Sequence, residues 1–385
     1  MSTIGKKNTK SWRIRSMLLK EIHLIRKDMF ALLLLFALPL MIMGTMYIAI
    51  NQGSIAQINQ DTGKNDDALV IGVVDSDPTN TFPGEDLSAN FTWYLSESPK
   101  FIVVMYDYEE DARTALYHDL VKAYAVVPYG FEGNITGDIP AFVDLHVSSS
   151  DLNTQMSIFG SFSSVVNDFR FDHGWIKGEI AIDKIGEFEP EGSSSTASIF
   201  GVFMLVFSVF IAVSATAAQA IVGDVPLNRM LLTPSTKMEA ILGKTLAYFL
   251  IGLFQAAVLL FLWMWMFAIV PNTSPLIILF ILGLMSISGS SLGVLISTVV
   301  STRLQANQSF LFLLFGSLIV GTGFVDVGVV DKVYPLNLGR VMIVDTAFKG
   351  ILITEFLNEI FIIATMTVAF VLLAWGIYVK KTTLA

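Results

Sequence analysis

The sequence has no cysteine, and only 15% of its 385 residues are charged. The missing cysteines exclude disulfides, iron–sulfur clusters and thiolate zinc sites. Soluble domains carry about 25% charged residues, so the shortage indicates that much of the chain lies in lipid. The 54% of hydrophobic residues and the mean hydropathy of +0.65 point the same way. The four histidines are scattered without ligand spacing, and the sequence predicts no metal site.

Basic side chains are scarce in one region. Residues 51–195 contain 24 acidic and 7 basic side chains, a net charge of −17, whereas the rest of the chain contains 17 basic and 9 acidic side chains, a net charge of +8. This split predicts two faces in different compartments. It also predicts no nucleic-acid partner, because the basic residues outside this region flank the predicted spans and leave no further basic surface to bind nucleic acid.

Long apolar runs predict six membrane-spanning helices, since about 20 apolar residues cross a hydrocarbon core of about 30 Å. The first run is longer than the apolar core of a usual signal peptide, which favours a span. Lys and Arg flank alternate span ends, so the positive-inside rule predicts a multi-pass plasma-membrane protein with both termini cytoplasmic and residues 51–195 outside. The predicted spans are 29–50, 198–222, 243–270, 275–299, 306–325 and 356–379.

The region between the first two spans alternates between strand-like and helix-like patterns, which predicts a small α/β domain. We expect Asp151 to about Ile185 to form a long amphipathic helix that returns the chain to the membrane. The acidic run Glu109–Asp111 is best explained as a helix N-terminus rather than a hydrolytic or calcium site. The predicted strands are Ala68–Val74, Phe101–Met105, Ala123–Val127 and Phe142–Val147, and the predicted helices are Glu85–Glu97 and Glu109–Leu120.

The spans lack charged side chains at mid-membrane depth, which argues against an ion-coupled carrier. Uncharged polar residues do occur there, and they serve either as hydrogen bonds between helices or as a substrate pathway. A GxxxG pair in the fourth span permits close helix approach, either within the chain or at a dimer seam. The pathway candidates are Ser214, Thr216, Gln219 and Gln255, and the GxxxG pair is Gly289 and Gly293.

The sequence also lacks a phosphate-binding loop. Its nearest approach is Gly243-Lys244-Thr245, but position 238 is Met where the loop needs Gly, and no strand precedes it. We therefore predict no catalytic residue and no cofactor in this chain, and any ATPase must be a separate protein.

Two cytoplasmic elements remain, together with one outer segment. Within residues 1–28, Ser11–Asp28 places an apolar stripe opposite basic residues, which predicts an interfacial helix on the lipids of the inner leaflet. The loop 223–242 is broken by Pro226 and Pro234, leaves room for one short helix around Leu227–Leu232, and offers a lever to a soluble partner. Segment 326–353 is too polar to span simply, and we expect it to re-enter the membrane from outside. The stripe consists of Ile14, Leu18, Ile22, Ile25 and Met29.

The layout resembles the membrane subunit of ABC-2 type transporters over nearly the whole chain. The resemblance depends on the order of several short segments and on their positions relative to the spans. The sequence departs from the family pattern after the fifth span, at Gly321-Thr-Gly-Phe324, so the shape of the outer gate stays open. The matching segments are Ile71-Gly-Val-Val-Asp75, Val127-Pro-Tyr-Gly-Phe131, Leu232-Thr-Pro234 with Glu239 and Gly243-Lys244, Leu292–Thr298, and Gln305-Ala306-Asn-Gln308.

The resemblance implies six spans, a dimer with an identical or related permease, and two ABC ATPase subunits that hold ATP and Mg. Carried over residue by residue, it places contact with the ATPase on Leu227, Arg229, Thr233, Pro234 and Glu239, with Glu21 or His23 on the first helix.

The sequence is thus interpreted as the permease subunit of an ATP-driven exporter. The alternative is a mechanotransmitter, which moves its external domain without passing cargo through the membrane. Spans without charge favour an amphipathic or lipid-like cargo, which the sequence does not name.

Overall fold

The computed structural model describes residues 10–27, 29–37, 39–41, 43–45, 68–148, 152–175, 177–188, 195–222, 236–320 and 328–380. The chain divides into two compact units. The helical unit comprises Met1–Gln52, Pro190–Ser193 and Phe200–Ala385, and the α/β unit comprises Gly53–Glu189 and Ser194–Ile199.

The α/β unit is built on one five-stranded sheet with the order β2-β1-β3-β4-β5. β1 lies parallel to β2 and β3, β3 and β4 are antiparallel, and β4 and β5 are parallel. The strands are β1 Leu69–Asp75, β2 Phe101–Tyr106, β3 Ala123–Val127, β4 Ala141–Ser148 and β5 Ile180–Glu187, and the helices are α3 Leu87–Glu97, α4 Glu109–Tyr117, α5 Phe131–Thr136 and α6 Leu152–Asp172.

Helices cover both faces of this sheet. The larger core lies between the strands and α3, α5 and α6, where Phe91 packs edge-on against Phe162 and Phe169. The smaller core lies on the opposite face, where Leu116 of α4 packs with Tyr124. The alternation of inward and outward side chains along the strands produces these two cores.

The four predicted strands and two predicted helices of this region are confirmed to within a few residues. The acids Glu109–Asp111 occupy the first turn of α4, as expected. The prediction of one helix from Asp151 to Ile185 is wrong in its second part. The helix ends at Asp172, and Ile180–Glu187 forms the fifth strand.

Two carboxylates organise the loop that joins β1 to α3. Glu132 is fully buried, and its carboxylate accepts hydrogen bonds from the backbone N–H groups of Leu87 (2.5 Å) and Thr81 (2.6 Å). Asp77 accepts from the backbone N–H groups of Glu132 (3.0 Å) and Gly130 (3.2 Å). Burial raises the pKa of Asp77, but these bonds and one from Thr79 outweigh it and lower the pKa overall.

The helical unit contains the remaining helices. Its first segment continues from a short α-helix into a π-helical turn, Leu33–Ala37. The helices are α1 Lys10–Lys27, α2 Met29–Leu32, α7 Ser195–Ala217, α8 Lys237–Met266, α9 Pro275–Val299, α10 Arg303–Val320, α11 Pro335–Val344 and α12 Leu357–Lys380, the last preceded by a 3₁₀ turn Ile353–Phe356.

Three helical stretches in the described part of the chain are long and apolar enough to cross a membrane: Lys237–Met266, Pro275–Val299 and Ile353–Lys380. They coincide closely with the predicted third, fourth and sixth spans. Shorter apolar helical stretches lie at Leu35–Thr45 and Gly201–Ala217, within the predicted first and second spans. In its described residues the protein is therefore helical, with three candidate spans and an α/β sheet region.

The segment predicted to re-enter the membrane contains α11 and a π-helical turn, Asp345–Lys349. Leu336 and Met342 of α11 are buried, and Gly339 lies directly against Met285 of α9. Asn272, in the α8–α9 connection, donates from its backbone N–H to the carbonyl oxygen of Ala347 at 2.8 Å. The segment thus packs into the helical unit, and the re-entrant path through a bilayer stays a prediction.

Candidate coupling site

A buried ion pair joins three elements of the helical unit. Lys244 lies two turns into α8, and its Nζ donates to Glu21 Oε1 of α1 at 2.7 Å. The same Nζ donates to the carbonyl oxygen of Ala220 at 2.7 Å, just beyond the end of α7. The side chains of Lys244 and Glu21 are only 3% and 5% exposed. One ammonium group therefore ties together α1, the end of α7 and the start of α8.

Local sequence explains how α1 reaches this lysine. Glu21 shares one face of α1 with Met17 and Ile25, which are both buried, because residues four apart lie on the same side of a helix. Gly243 faces this surface, and a Cβ there would lie 3.1 Å from Met17 Cβ. A side chain at position 243 would push the helices apart and lengthen the contact between Glu21 and Lys244.

The buried stripe of α1 differs from the predicted one. Ile25 is buried, and Ile14, Leu18 and Ile22 are half-buried, but Met29 is 82% exposed. The face that packs on α8 is shifted toward Met17 and Glu21. The shift arises because the carboxylate of Glu21 is neutralised by a lysine from a distant part of the chain, so this position tolerates burial.

Hydrogen bonds hold the chain on both sides of segment 223–235, which lies outside the described residues. Before it, the backbone N–H groups of Ile221 and Val222 donate to Ser297 Oγ of α9 at 2.9 and 3.3 Å. After it, Thr236 and Glu239 form a reciprocal capping box at the start of α8, with distances of 3.2 and 3.0 Å. Residues 237–242 of the predicted loop 223–242 are therefore the first turns of α8 rather than loop.

A further contact anchors the start of α8 to the last helix. Lys237 Nζ donates to the carbonyl oxygens of Tyr378 and Val379, each at 3.3 Å, and lies 5.5 Å from the centre of the Tyr378 ring. The cation lies at the C-terminal end of α12, where the helix dipole favours positive charge. The loop's exit is thus tied to the helix that carries the C-terminus.

The predicted contact residues fall into two groups. Glu239 is buried in the capping box, Glu21 is buried against Lys244, and His23 is exposed on α1. Leu227, Arg229, Thr233 and Pro234 lie outside the described residues. Sequence reasoning missed Lys244, which it placed at the edge of a span. The available signal was an acid on the apolar side of α1 together with a lysine near the start of an apolar helix.

The pathway candidates bond to other helix atoms. Ser214 Oγ donates to the carbonyl oxygen of Phe210 (2.7 Å), with the carbonyl oxygen of Gly289 also at 3.0 Å, and Thr216 Oγ1 lies 3.0 Å from the carbonyl oxygens of Ala212 and Val213. Gln219 Nε2 donates to Asn307 Oδ1 at 2.8 Å. These bonds are those of hydrogen-bonded helix packing, and a role in a pathway stays a prediction.

Gln255, the fourth pathway candidate, is fully buried in α8. Its Nε2 donates to the carbonyl oxygen of Leu35 at 2.6 Å, inside the π-helical turn of the first apolar segment. A π turn shifts the backbone hydrogen-bond pattern by one residue and leaves such an oxygen open to a side chain. Gln255 thereby joins α8 to the first segment.

The GxxxG pair packs against α7 within the chain. A Cβ added at Gly289 would lie 2.7 Å from the carbonyl oxygen of Phe210, and one at Gly293 would overlap the carbonyl oxygen of Ser214. The two glycines thus let the backbones of α7 and α9 approach closely within the chain, and a dimer seam at this pair stays a prediction.

The described residues contain no group of three His, Asp or Glu side chains that would hold a metal ion. In the α/β unit, His146 stacks on Tyr124 and its Nδ1 lies 2.8 Å from Glu187 Oε1. Arg113 Nε lies 3.2 Å from the other oxygen of Glu187. The hydrogen bond with His146 is the main cause that lowers the pKa of Glu187.

Comparison with known proteins places the chain in a family. Residues 29–375 match the model of the ABC-2 family transporter proteins. The chain belongs to the ABC-2 transporter family. No curated protein and no solved structure matches the chain. The resemblance to an ABC-2 type permease is thus confirmed, and the protein is an ABC-2 membrane protein of a family that associates with ABC ATPases generally. The match includes Lys244 and begins after Glu21.

Proposed function

We propose that this ABC-2 permease is the membrane subunit of an ATP-driven exporter and works as a dimer with two separate ATPase subunits. The observation that carries the proposal is the three-way junction at Lys244. The junction joins Ala220, before segment 223–235, to Lys244 after it, and the capping box lies directly after the segment, so we expect a force applied to the segment to reach α1, α7 and α8 together.

The proposal gives the chain no ATPase of its own. Gly243-Lys244-Thr245 lies inside α8, where the backbone N–H groups are used by the helix and do not form a phosphate cradle. Lys244 Nζ is engaged by Glu21 and the carbonyl oxygen of Ala220. This arrangement suits a mechanical role for the segment, with ATP and Mg held by the partner.

In this proposal six helices cross the plasma membrane, both termini are cytoplasmic, and the α/β unit lies outside. The basic residues at the cytoplasmic span ends and the acidic region 51–195 support this orientation. Single cysteines introduced into this cysteine-free chain test it. A membrane-impermeant maleimide applied to intact cells should label a cysteine at exposed Phe142 and leave one at exposed His23 unlabelled.

The coupling role is tested by charge reversal in the loop. Arg229→Glu and Glu239→Lys should reduce co-purification of the ATPase and ATP-dependent transport. Because Glu239 also caps α8, Glu239→Gln is the matched control: it keeps one side-chain oxygen for the cap and removes the charge. Intact assembly and transport in both reversal variants would show that the loop does not bind the ATPase.

A mechanotransmitter is the second candidate. This function is favoured because the hydroxyl groups of Ser214 and Thr216 donate to helix carbonyl oxygens and are therefore not available to bind cargo. Photo-crosslinking in the energised complex separates the two functions. The exporter predicts a lipid or amphipathic molecule trapped between spans, and the mechanotransmitter predicts ATP-driven movement of the α/β unit without one.

A further inference from the structure

The sheet of the α/β unit has two edges of different character. The edge strand β5 carries Asp183, Lys184 and Glu187, and Lys184 Nζ donates to Gln155 Oε1 at 3.0 Å. The opposite edge strand, β2, reads Phe-Ile-Val-Val-Met-Tyr and carries no charge and no proline. Charges on an edge strand block pairing with another chain, and β2 lacks this protection.

The hydrogen-bonding pattern shows which residues of β2 face outward. The backbone N–H of Leu69 donates to the carbonyl oxygen of Lys100 at 2.9 Å. Backbone groups alternate in direction along a strand, so the even-numbered residues bond to β1, and Phe101, Val103 and Met105 direct theirs outward. The Phe101 N–H is taken by Ser98 at 3.2 Å. The described part of the chain offers no strand to this outer side of β2.

Apolar side chains follow the same edge on both faces of the sheet. Phe101 and Val103 pack into the larger core, but Met105, on the same face, is 56% exposed. On the other face Ile102 is 54% exposed. Neither face of the edge is fully covered by the unit's own helices, as expected where a sheet continues into another chain.

We propose that β2 pairs antiparallel with β2 of a second copy of this chain, about a twofold axis at Val103, to form one ten-stranded sheet. The register follows from symmetry. Residues directly opposite across such an axis share a face, so Val103 opposes itself and Phe101 opposes Met105. These are the three residues on the outer side of β2, where Phe101 offers its carbonyl oxygen because its N–H is bonded to Ser98.

Charge at the strand ends favours the second copy and the antiparallel direction. Lys100 precedes β2 and Asp107 follows it, and both are exposed. Antiparallel pairing brings the Lys100 end of β2 in one copy to the Asp107 end in the other, at both ends of the interface, with the two side chains on opposite faces of the sheet. Parallel pairing would instead place like charges together, which is unfavourable. The choice of a second copy as partner rests on the proposed dimer.

Disulfide trapping between two differently tagged copies tests the pairing, because the chain has no native cysteine. The register puts Ile102 opposite Val104 as a non-hydrogen-bonded pair with Cα atoms about 4.5 Å apart, close enough for a disulfide. Co-expressed Ile102→Cys and Val104→Cys chains should form a crosslink that carries both tags in oxidised membranes. Phe142→Cys, exposed on the inner strand β4, is the control and should not crosslink.

A charge swap tests the proposed end contacts. Asp107→Lys should lower the crosslinked fraction about two- to fivefold, and adding Lys100→Asp in the same chain should restore it. Crosslinking no stronger than the Phe142→Cys control would overturn the proposal, and this includes the case in which residues 51–67 of the same chain cover the edge.

Co-purification of the two tags in the absence of oxidant shows whether the dimer forms, independently of the crosslink. If the tags co-purify and the crosslink is absent, β2 pairing is wrong and the proposed dimer stands. If the tags do not co-purify, the dimer itself is wrong and the β2 pairing fails with it.

Discussion

The helical unit and the α/β unit offer different free backbone groups to some of their buried polar side chains. In the helical unit three buried donors end on backbone carbonyl oxygens: Ser214, Gln255 and Lys244. In the α/β unit the most buried carboxylate, Glu132, accepts from backbone N–H groups of a loop. Helices use their N–H groups internally and keep spare lone pairs on oxygen, whereas loops have spare N–H groups. At these four positions the free backbone group thus matches the buried side chain.

The largest effect is expected at the buried ion pair of the helical unit. Lys244→Met leaves Glu21 buried and unpaired, which costs about 3–5 kcal/mol for a buried ion pair that loses one partner. Thermal unfolding of the purified complex measures this loss. Lys380→Met, at an exposed position of α12, is the control and should change little. A Lys244→Met protein as stable as this control would contradict the burial of the pair.

Glu132→Gln tests the buried hydrogen-bond acceptor of the α/β unit. The amide nitrogen would face a backbone N–H where a carboxylate oxygen now accepts, so a destabilisation of about 3 kcal/mol is expected. Thermal melting of the full chain gives the value. Glu97→Gln, exposed at the end of α3, should leave the melting temperature unchanged. Equal melting of the two variants would show that the loop does not depend on Glu132.

The next largest loss of stability is expected where the backbones of α7 and α9 lie close together in the helical unit. Gly289→Ala should destabilise the packing of α7 on α9 by about 1–3 kcal/mol, because the methyl group would meet the carbonyl oxygen of Phe210. Gly316→Ala in α10, where nothing lies within 4 Å, is the matched control and should be neutral or slightly stabilising. If Gly316→Ala lost stability and Gly289→Ala did not, the close contact would lie on α10 rather than on α9.

The smallest effect depends on pH and concerns the α/β unit. The pKa of Glu187 is lowered from its ordinary 4.5 by the hydrogen bond with His146 and by attraction to Arg113, against the opposing effect of burial. A lowered folded-state pKa adds stability above the unfolded pKa and loses it as pH falls through the folded value. Glu187→Gln should therefore lower the melting temperature by about 4 °C at neutral pH. The difference from the unsubstituted protein should shrink below pH 4.5, and a constant difference would exclude the ionised pair as its cause.

Much of the fold follows from short-range pattern. Pro275–Val299 coincides with a predicted span because a charge-free apolar run of that length has few alternatives, and β3 was found from its apolar pattern. β5 was missed because Asp183 and Lys184 interrupt its apolar pattern. As an edge strand it tolerates these charges, and only its pairing with β4 reveals it.

The site was less predictable because its key contact is not local. Glu21 and Lys244 are separated by 223 positions, and neither position alone reports that the other neutralises it. The resemblance to the ABC-2 family indicated Glu21 and the Gly243-Lys244 segment, but not their contact. The partners of Gly289 and Gly293 were likewise open, since a GxxxG pair shows that a backbone approaches and does not identify it.

The most direct test of the coupling account is a double-mutant cycle on Glu21 and Lys244, read out as ATP hydrolysis by the partner ATPase in the reconstituted complex. The account predicts that Glu21→Gln and Lys244→Met each lower the permease-dependent rate roughly tenfold and that the double variant is no slower than either, because both changes break one contact. Lys380→Met should keep the full rate. Assembled complexes in which all variants hydrolyse ATP at the unsubstituted rate would contradict the account.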